Sequence, residues 1–277
     1  MKSLAFSTFL ILASCGVQNE STIQTISGEA VIYGEDSRTE INDADLHYSL
    51  AQATAMIINS QTKYFSTLEE AYPLCKNERF LEQKLMGSCS GVLISANKVL
   101  TASHCVDRKD SCANSKFVFG LTSSTNITNI YKCKTITTID TVMDYAIVEM
   151  DRDVTDAKPV TVSTRTALKL NESVISLSYP LGLPLKKDFG KIITLDLMGN
   201  TRYFRAEVDT FRGSSGSPLF DSTGELIGIL TNGADDILED EIYRVRMEGG
   251  CVNFNHCKDN SCRGEVFLKS ILIPQVH

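Results

Sequence analysis

The chain has 277 residues, 43% of them apolar and 22% charged, with a formal net charge of -7. That length suits one large domain or two small ones and is enough to bury a sizeable core. The composition speaks against disorder and coiled coil, and the acidic balance speaks against a nucleic-acid partner.

At the N-terminus, Lys2 supplies a short positive region, and residues 4–13 form an apolar run too short to span a bilayer. The run ends in Leu12-Ala13-Ser14-Cys15, which resembles the bacterial lipobox, whose cysteine is lipidated and becomes the first mature residue. That reading gives a signal peptide over 1–14 and a lipidation site at Cys15. The alternative is an ordinary signal peptide cut nearby, for instance after Gly16. Both routes export the protein, either to a membrane surface through the lipid (the outer membrane where the cell has one) or to the medium. No later segment approaches the roughly 20 apolar residues of a transmembrane helix. Of nine cysteines, Cys15 leaves with the leader or the lipid, and the remaining eight allow up to four disulfides in an exported chain. Closely spaced Cys-x-x-Cys pairs are missing, so no structural zinc site is expected.

Residues 15–30 are polar and aperiodic and read as a tether or propeptide. From Val31 onward the chain becomes a series of short runs rich in Val, Ile, Thr, Tyr and Phe, punctuated by Gly, Asn, Asp and Pro. Strands are expected at Ala53–Ile58, Cys89–Ser95, Lys98–Thr101, Lys116–Gly120 and Ala146–Met150. Further strands are expected at Ser173–Tyr179, Lys191–Leu197, Tyr203–Val208 and Glu225–Thr231. Such regular short strands predict an all-β sandwich or barrel. Ser66 to Leu85 reads as a helical or irregular insertion. Glu265 to Ile273 reads as a short C-terminal helix, with strand as the alternative. The polar stretch Asp151 to Lys158, ending at Pro159, divides the chain into an N-terminal unit over 31–158 and a C-terminal unit over 159–277.

Three motifs carry chemistry. An apolar strand ends in Thr101-Ala102-Ser103-His104-Cys105, so the histidine sits at a strand exit where a loop can expose it. Met143-Asp144-Tyr145 opens a second apolar strand. Arg212-Gly213-Ser214-Ser215-Gly216-Ser217-Pro218 is a tight turn whose glycines permit positive φ and leave backbone N–H groups available. Together, in this order, they resemble the trypsin/chymotrypsin-like serine proteases, and more closely the bacterial branch that includes the staphylococcal glutamyl endopeptidases. Val31 to Arg38 looks like the mature start of that branch. The resemblance covers roughly 31 to 233.

The resemblance implies two six-stranded antiparallel β-barrels with the active site between them. The N-terminal barrel carries the histidine and aspartate, and the C-terminal barrel carries the nucleophile and specificity pocket. It implies a secreted or lipid-anchored serine endopeptidase with protein or peptide substrates, no cofactor and no metal, acting as a monomer. A serine hydroxyl is a poor nucleophile and needs a base. His104 would supply it, Asp144 would hold the imidazole in the right tautomer, and Ser215 would attack. Backbone N–H groups of Gly213 and Ser215 would form the oxyanion hole, at about 3 kcal/mol each. Ser217 matches a structural position after the nucleophile. Ser214 stands where digestive relatives carry an acid, which removes their activation ion pair.

Counting back from Ser215, Asp209 falls where trypsin-like enzymes carry the acid at the base of the specificity pocket, followed by Thr210. Thr231 and Gly233 fall on the wall strand. This predicts cleavage after Arg or Lys; the alternative for Asp209 is a structural carboxylate within its own loop. Leu230 stands where the glutamyl endopeptidases carry a histidine, which argues against Glu specificity. The acidic run Asp235, Asp236, Glu239, Asp240 and Glu241 is either a solvated loop or a rim favouring basic substrates. By resemblance Cys89 pairs with Cys105. Cys112 and Cys133 would close a local loop, and Cys75, Cys251, Cys257 and Cys262 leave three pairings open. A silent binding module on the same scaffold, or an esterase using the same triad, are the competing functions.

Overall fold

The computed structural model describes residues 32–59, 66–108, 110–125, 127–233, 245, 248–257 and 263–274. The leader, Cys15, the 15–30 tether, Val31, the acidic run 235–241, Cys262 and His277 lie outside the described residues.

A two-residue strand, β1 (Ile32–Tyr33), opens the chain. The first barrel follows: β2 (Thr54–Asn59), β3 (Cys89–Ser95), β4 (Lys98–Thr101), β5 (Ser115–Phe119), β6 (Tyr131–Asp140) and β7 (Tyr145–Met150). These six close in the order β2-β3-β4-β7-β6-β5, every neighbouring pair antiparallel. The second barrel comprises β8 (Ser173–Ser178), β9 (Lys186–Thr194), β10 (Tyr203–Glu207), β11 (Pro218–Asp221) and β12 (Leu226–Asn232). A short strand, β13 (His256–Cys257), precedes the barrel's last strand, β14 (Glu265–Lys269). The closed order is β10-β14-β12-β11-β8-β9, making two six-stranded barrels in all. Glu265 to Ile273 is therefore not a helix. It is β14 followed by one 3₁₀ turn at Ser270–Leu272, because its Val, Phe and Leu side chains fill the barrel against β10 and β12.

Closure removes free sheet edges and turns apolar residues inward from every strand. Val92, Leu93, Val99, Leu100, Ile147 and Val148 are fully buried in the first barrel, and Phe204, Leu219 and Phe267 in the second. Each such side chain contributes roughly 1.5–3 kcal/mol by leaving water. The two barrels meet through buried polar links. Tyr179 donates its hydroxyl to the Thr54 carbonyl (3.0 Å) and accepts the Leu121 N–H (3.0 Å). Burial pushes the Tyr179 phenol pKa far up, so it stays neutral.

A smaller third cluster lies beside the second barrel. It gathers Ile32, Leu68, Leu74, Leu85, Leu183, Phe211, Val252 and Phe254. The Ser66–Leu85 insertion contributes a single helical turn, Leu68–Ala71, at whose start the Glu70 side chain accepts the Thr67 backbone N–H (2.8 Å). A disulfide between Cys75 and Cys251 fastens this insertion to the segment after the second barrel's wall strand. Cys89–Cys105 and Cys112–Cys133 are also joined, and Cys257 is disulfide-bonded.

Residues 32–39 do not join the first barrel, where the division at Pro159 put them. They form a strap along the second. Ile32 pairs in register with His256, and Thr39 pairs with Lys187 on β9. Arg38 is buried against the rings of Phe80, Phe211 and Phe254 and ion-paired to Asp36 at 2.7 Å.

Candidate active site

The hairpin β3–β4 ends at Thr101, and after Ala102 the chain turns once as a 3₁₀ helix over Ser103–Cys105. That turn lifts His104 out of the barrel, and the Cys89–Cys105 disulfide ties it back to β3. Asp144 precedes β7 in the left-handed region (φ 59°), a conformation Asp adopts more readily than most residues. Its Oδ2 lies 2.8 Å from His104 Nδ1. Its Oδ1 accepts the Ser103 hydroxyl at 2.8 Å and the His104 backbone N–H at 3.1 Å. The carboxylate is acceptor-only, so Nδ1 carries the proton and Nε2 is left with its lone pair.

The electrostatics follow from this geometry. The hydrogen bond to Asp144 raises the His104 pKa above its ordinary value, against the opposing effect of burial; the charges of Asp144 and Asp107 add to the rise. Burial alone would push Asp144 up. The hydrogen bond to His104, its charge and the Ser103 hydroxyl outweigh burial and leave Asp144 lowered.

Ser215 reaches the same place from the second barrel. It sits half-buried in the turn between Phe211 and β11, where Gly213 has φ 91° and Gly216 has φ 80°. A Cβ at Gly216 would lie 2.2 Å from Thr101 Oγ1 and 2.4 Å from the Ser90 carbonyl oxygen, so only glycine lets the turn close onto β3 and β4. Ser90 completes the seam. Its N–H donates to the Ser215 carbonyl (2.8 Å), and its hydroxyl donates to the Gly213 carbonyl (2.8 Å). The same hydroxyl accepts the Tyr179 N–H at 3.1 Å. His104, Ser215 and Gly213 line one cleft of about 360 Å³. Ser217, the neighbouring serine, is fully buried and its hydroxyl has no hydrogen-bond partner, so a substrate cannot reach it. Ser214 is buried too, with its hydroxyl 3.1 Å from that of Ser178.

Cys89, Cys105 and His104 are the single trio of potential metal ligands that converge among the described residues, with ligand atoms within 4.8 Å. The disulfide consumes both thiols, so the trio does not offer a thiolate site.

A model of the trypsin-like peptidase domain matches residues 89–229. The chain belongs to this family. A glutamyl endopeptidase of Staphylococcus epidermidis is 30% identical over 86 residues, which is 31% of this chain and 30% of that protein. The chain thus spans less than a third of the length of that curated relative. Among solved structures, a Glu endopeptidase in complex with MPD superposes with a TM-score of 0.54 at 20% identity, covering 74% of this chain and 88% of that one. The Vibrio cholerae protease VesB superposes with a TM-score of 0.53 at 14% identity, covering 84% of this chain and 63% of that one. Both likenesses show the two-barrel fold.

Asp209 does not stand at the base of a substrate pocket. It is buried, its Oδ1 accepting the Tyr33 N–H (2.8 Å) and its Oδ2 the Ser37 N–H (3.0 Å), while its own N–H donates to Asp188 Oδ2 (2.7 Å). The carboxylate is aimed at the strap and is absent from the lining of the His104–Ser215 cleft. Thr210 and Gly233 instead converge on a residue the motifs did not single out. Thr210 donates its hydroxyl to Glu265 Oε2 at 2.6 Å, and a Cβ at Gly233 would lie 2.3 Å from that same oxygen. Glu265 is fully buried and also accepts the Tyr33 hydroxyl (3.0 Å). Thr231, also predicted on the wall, donates its hydroxyl to the Val266 carbonyl at 3.2 Å. A glutamate opening an apolar strand, Glu265-Val266-Phe267-Leu268, was the signal that could have found it: a charge has no place on a buried strand unless something there uses it. Ser90, Ser103 and Tyr179 also escaped the motif reading, although two of them stand inside or beside the quoted motifs.

Proposed function

We propose that the protein is a serine endopeptidase working through an acyl-enzyme, with Ser215 as nucleophile, His104 as base and Asp144 as its orienting carboxylate. The observation that carries this reading is the His104–Asp144 hydrogen bond, which leaves Nε2 free to accept a proton in the cleft that Ser215 lines. Ser215 Oγ attacks the scissile carbonyl as its proton passes to His104 Nε2. The N–H groups of Gly213 and Ser215 receive the developing oxyanion. The C–N bond then breaks, His104 returns the proton to the leaving amine, and water repeats the sequence to release the acid.

For the residue before the scissile bond we propose a cation, Arg or Lys, favoured by the negative charge of Glu265, which is buried behind Thr210 and Gly233 and does not itself line the cleft. Its carboxylate sits between Thr210 and Gly233, and carboxylates accept several donors at once. The likeness to glutamyl endopeptidases supports the opposite preference, for Glu. A buried carboxylate at this position weighs against it, because like charges there repel. Cleavage of a peptide library by the purified chain decides: Arg or Lys before the scissile bond fits Glu265 as the selector, and Glu there overturns it. Three defined disulfides support export, since such bonds persist in oxidising compartments. The lipid anchor at Cys15 and a later cut before Val31 remain part of this proposal.

A further inference from the structure

The cleft that joins His104 to Ser215 extends to one side of the pair. Its walls come mainly from the first barrel: Asn59 at the end of β2, Ser88 and the Cys89–Cys105 disulfide, and the turn carrying Ser111 and Asn114. The wall strand β12 and Glu265 are not among its lining residues. In acyl transfer, the histidine protonates the leaving amine, so the chain that follows the scissile bond lies on the histidine's side. The cleft therefore receives the leaving-group half of a substrate, away from the half that meets Thr210 and Gly233.

The charge of this half is distinctive. Arg108 and Arg212 both line it, and among the described residues no Asp or Glu does, in a chain whose net charge is -7. The other polar walls are neutral amides and hydroxyls: Asn59, Ser88, Ser111, Asn114 and Ser115. Asp107, the acid adjoining Arg108 in sequence, is exposed and bears on His104 but does not line the cleft. Guanidinium groups match carboxylates through paired N–H donors. We infer that this cleft is a leaving-group subsite selective for an acidic side chain, Asp or Glu, within the first two residues after the scissile bond. The inference rests on the serine-peptidase reading and adds a second specificity element to it. Paired with a cation before the bond, it describes a substrate whose charge reverses sign across the cut.

The test uses the full purified chain and quenched peptides that share one sequence before the scissile bond. They differ only at the two positions after it: Glu, Gln, Ala or Lys. Rates are normalised to active sites titrated with a fluorophosphonate. The wild type is expected to favour Glu over Gln by on the order of fivefold to tenfold in kcat/KM at low salt, shrinking as salt screens the pair. Arg108→Glu is expected to invert the ratio of Glu to Lys substrates. A wild type indifferent to charge after the bond, or an Arg108→Glu enzyme with an unaltered ratio, overturns the subsite. Failure of the fluorophosphonate to label the wild type overturns the peptidase reading itself, and the subsite with it.

Discussion

Two carboxylates of this chain titrate in opposite directions. Asp144 keeps a partly exposed side chain and meets an imidazole, a hydroxyl and a backbone N–H; it is pulled below its ordinary pKa. Asp209 is buried beside a second carboxylate, Asp188, and receives two neutral N–H groups and the Ser37 hydroxyl from the strap. Burial and the Asp188 charge push it up to about 7, with Asp36 adding to the rise. Burial opposes the charge in both places; at Asp209 it is stronger and the like charge of Asp188 adds to it, whereas at Asp144 an imidazole able to carry positive charge within hydrogen-bond reach outweighs it. The first arrangement prepares an imidazole to accept a proton. The second holds a strap in place through a carboxyl that keeps its proton to higher pH.

The comparison can be broken first at Asp144. Asp144→Asn keeps the shape but replaces an acceptor with an amide that can favour the wrong tautomer. The family template predicts a fall in kcat of about 10⁴. Because Asp144 raises the His104 pKa, the acid limb of the kcat/KM profile is expected above the free-imidazole value of about 6.5 in the wild type. The variant's limb is expected to move down. A variant that loses less than tenfold, or keeps the same limb, contradicts the role given to Asp144.

A smaller effect is expected at Asp209. Its folded pKa lies above its unfolded value, so the folded chain holds the proton more tightly. The stabilising contribution is complete below about pH 4 and is lost as pH rises through about 7. Asp209→Asn can still accept the Tyr33 N–H and removes the titration. Its melting temperature relative to wild type is expected to climb by a few degrees between pH 4 and 7, a gain on the order of 2 kcal/mol. Parallel curves across that range contradict the raised pKa of Asp209.

These two sites also mark where the sequence was legible. His104, Asp144 and Ser215 each sit in a local motif whose residues dictate the backbone: an apolar strand that must end, an aspartate at a turn, glycines with positive φ. The strands built from consecutive apolar residues, such as Cys89–Ser95 and Lys98–Thr101, were readable with their bounds. β6 was not, because beyond the buried Tyr131 the strand Tyr131–Asp140 is exposed or half-buried throughout and rich in Thr and Lys. β9 begins five residues ahead of its apolar part, at Lys186-Lys187-Asp188. Those residues are buried only because Glu40, Asp45 and Ser37 on the strap region come to meet them. Asp209 shows the same limit for function. Counting from Ser215 gives its position along the chain, whereas the direction of its side chain is set by a strap 172 residues away from it in sequence. The Cys75–Cys251 bond, with a separation of 176 residues, depends on the same long-range packing.

The central claim is that one serine of the glycine turn is the nucleophile. A fluorophosphonate probe on the purified chain, followed by peptide mass mapping, tests it most directly. Label is expected on Ser215 alone, lost in Ser215→Ala together with peptide cleavage, and suppressed at acid pH as His104 takes up a proton. Label that persists in Ser215→Ala, or that maps to Ser217, contradicts the account.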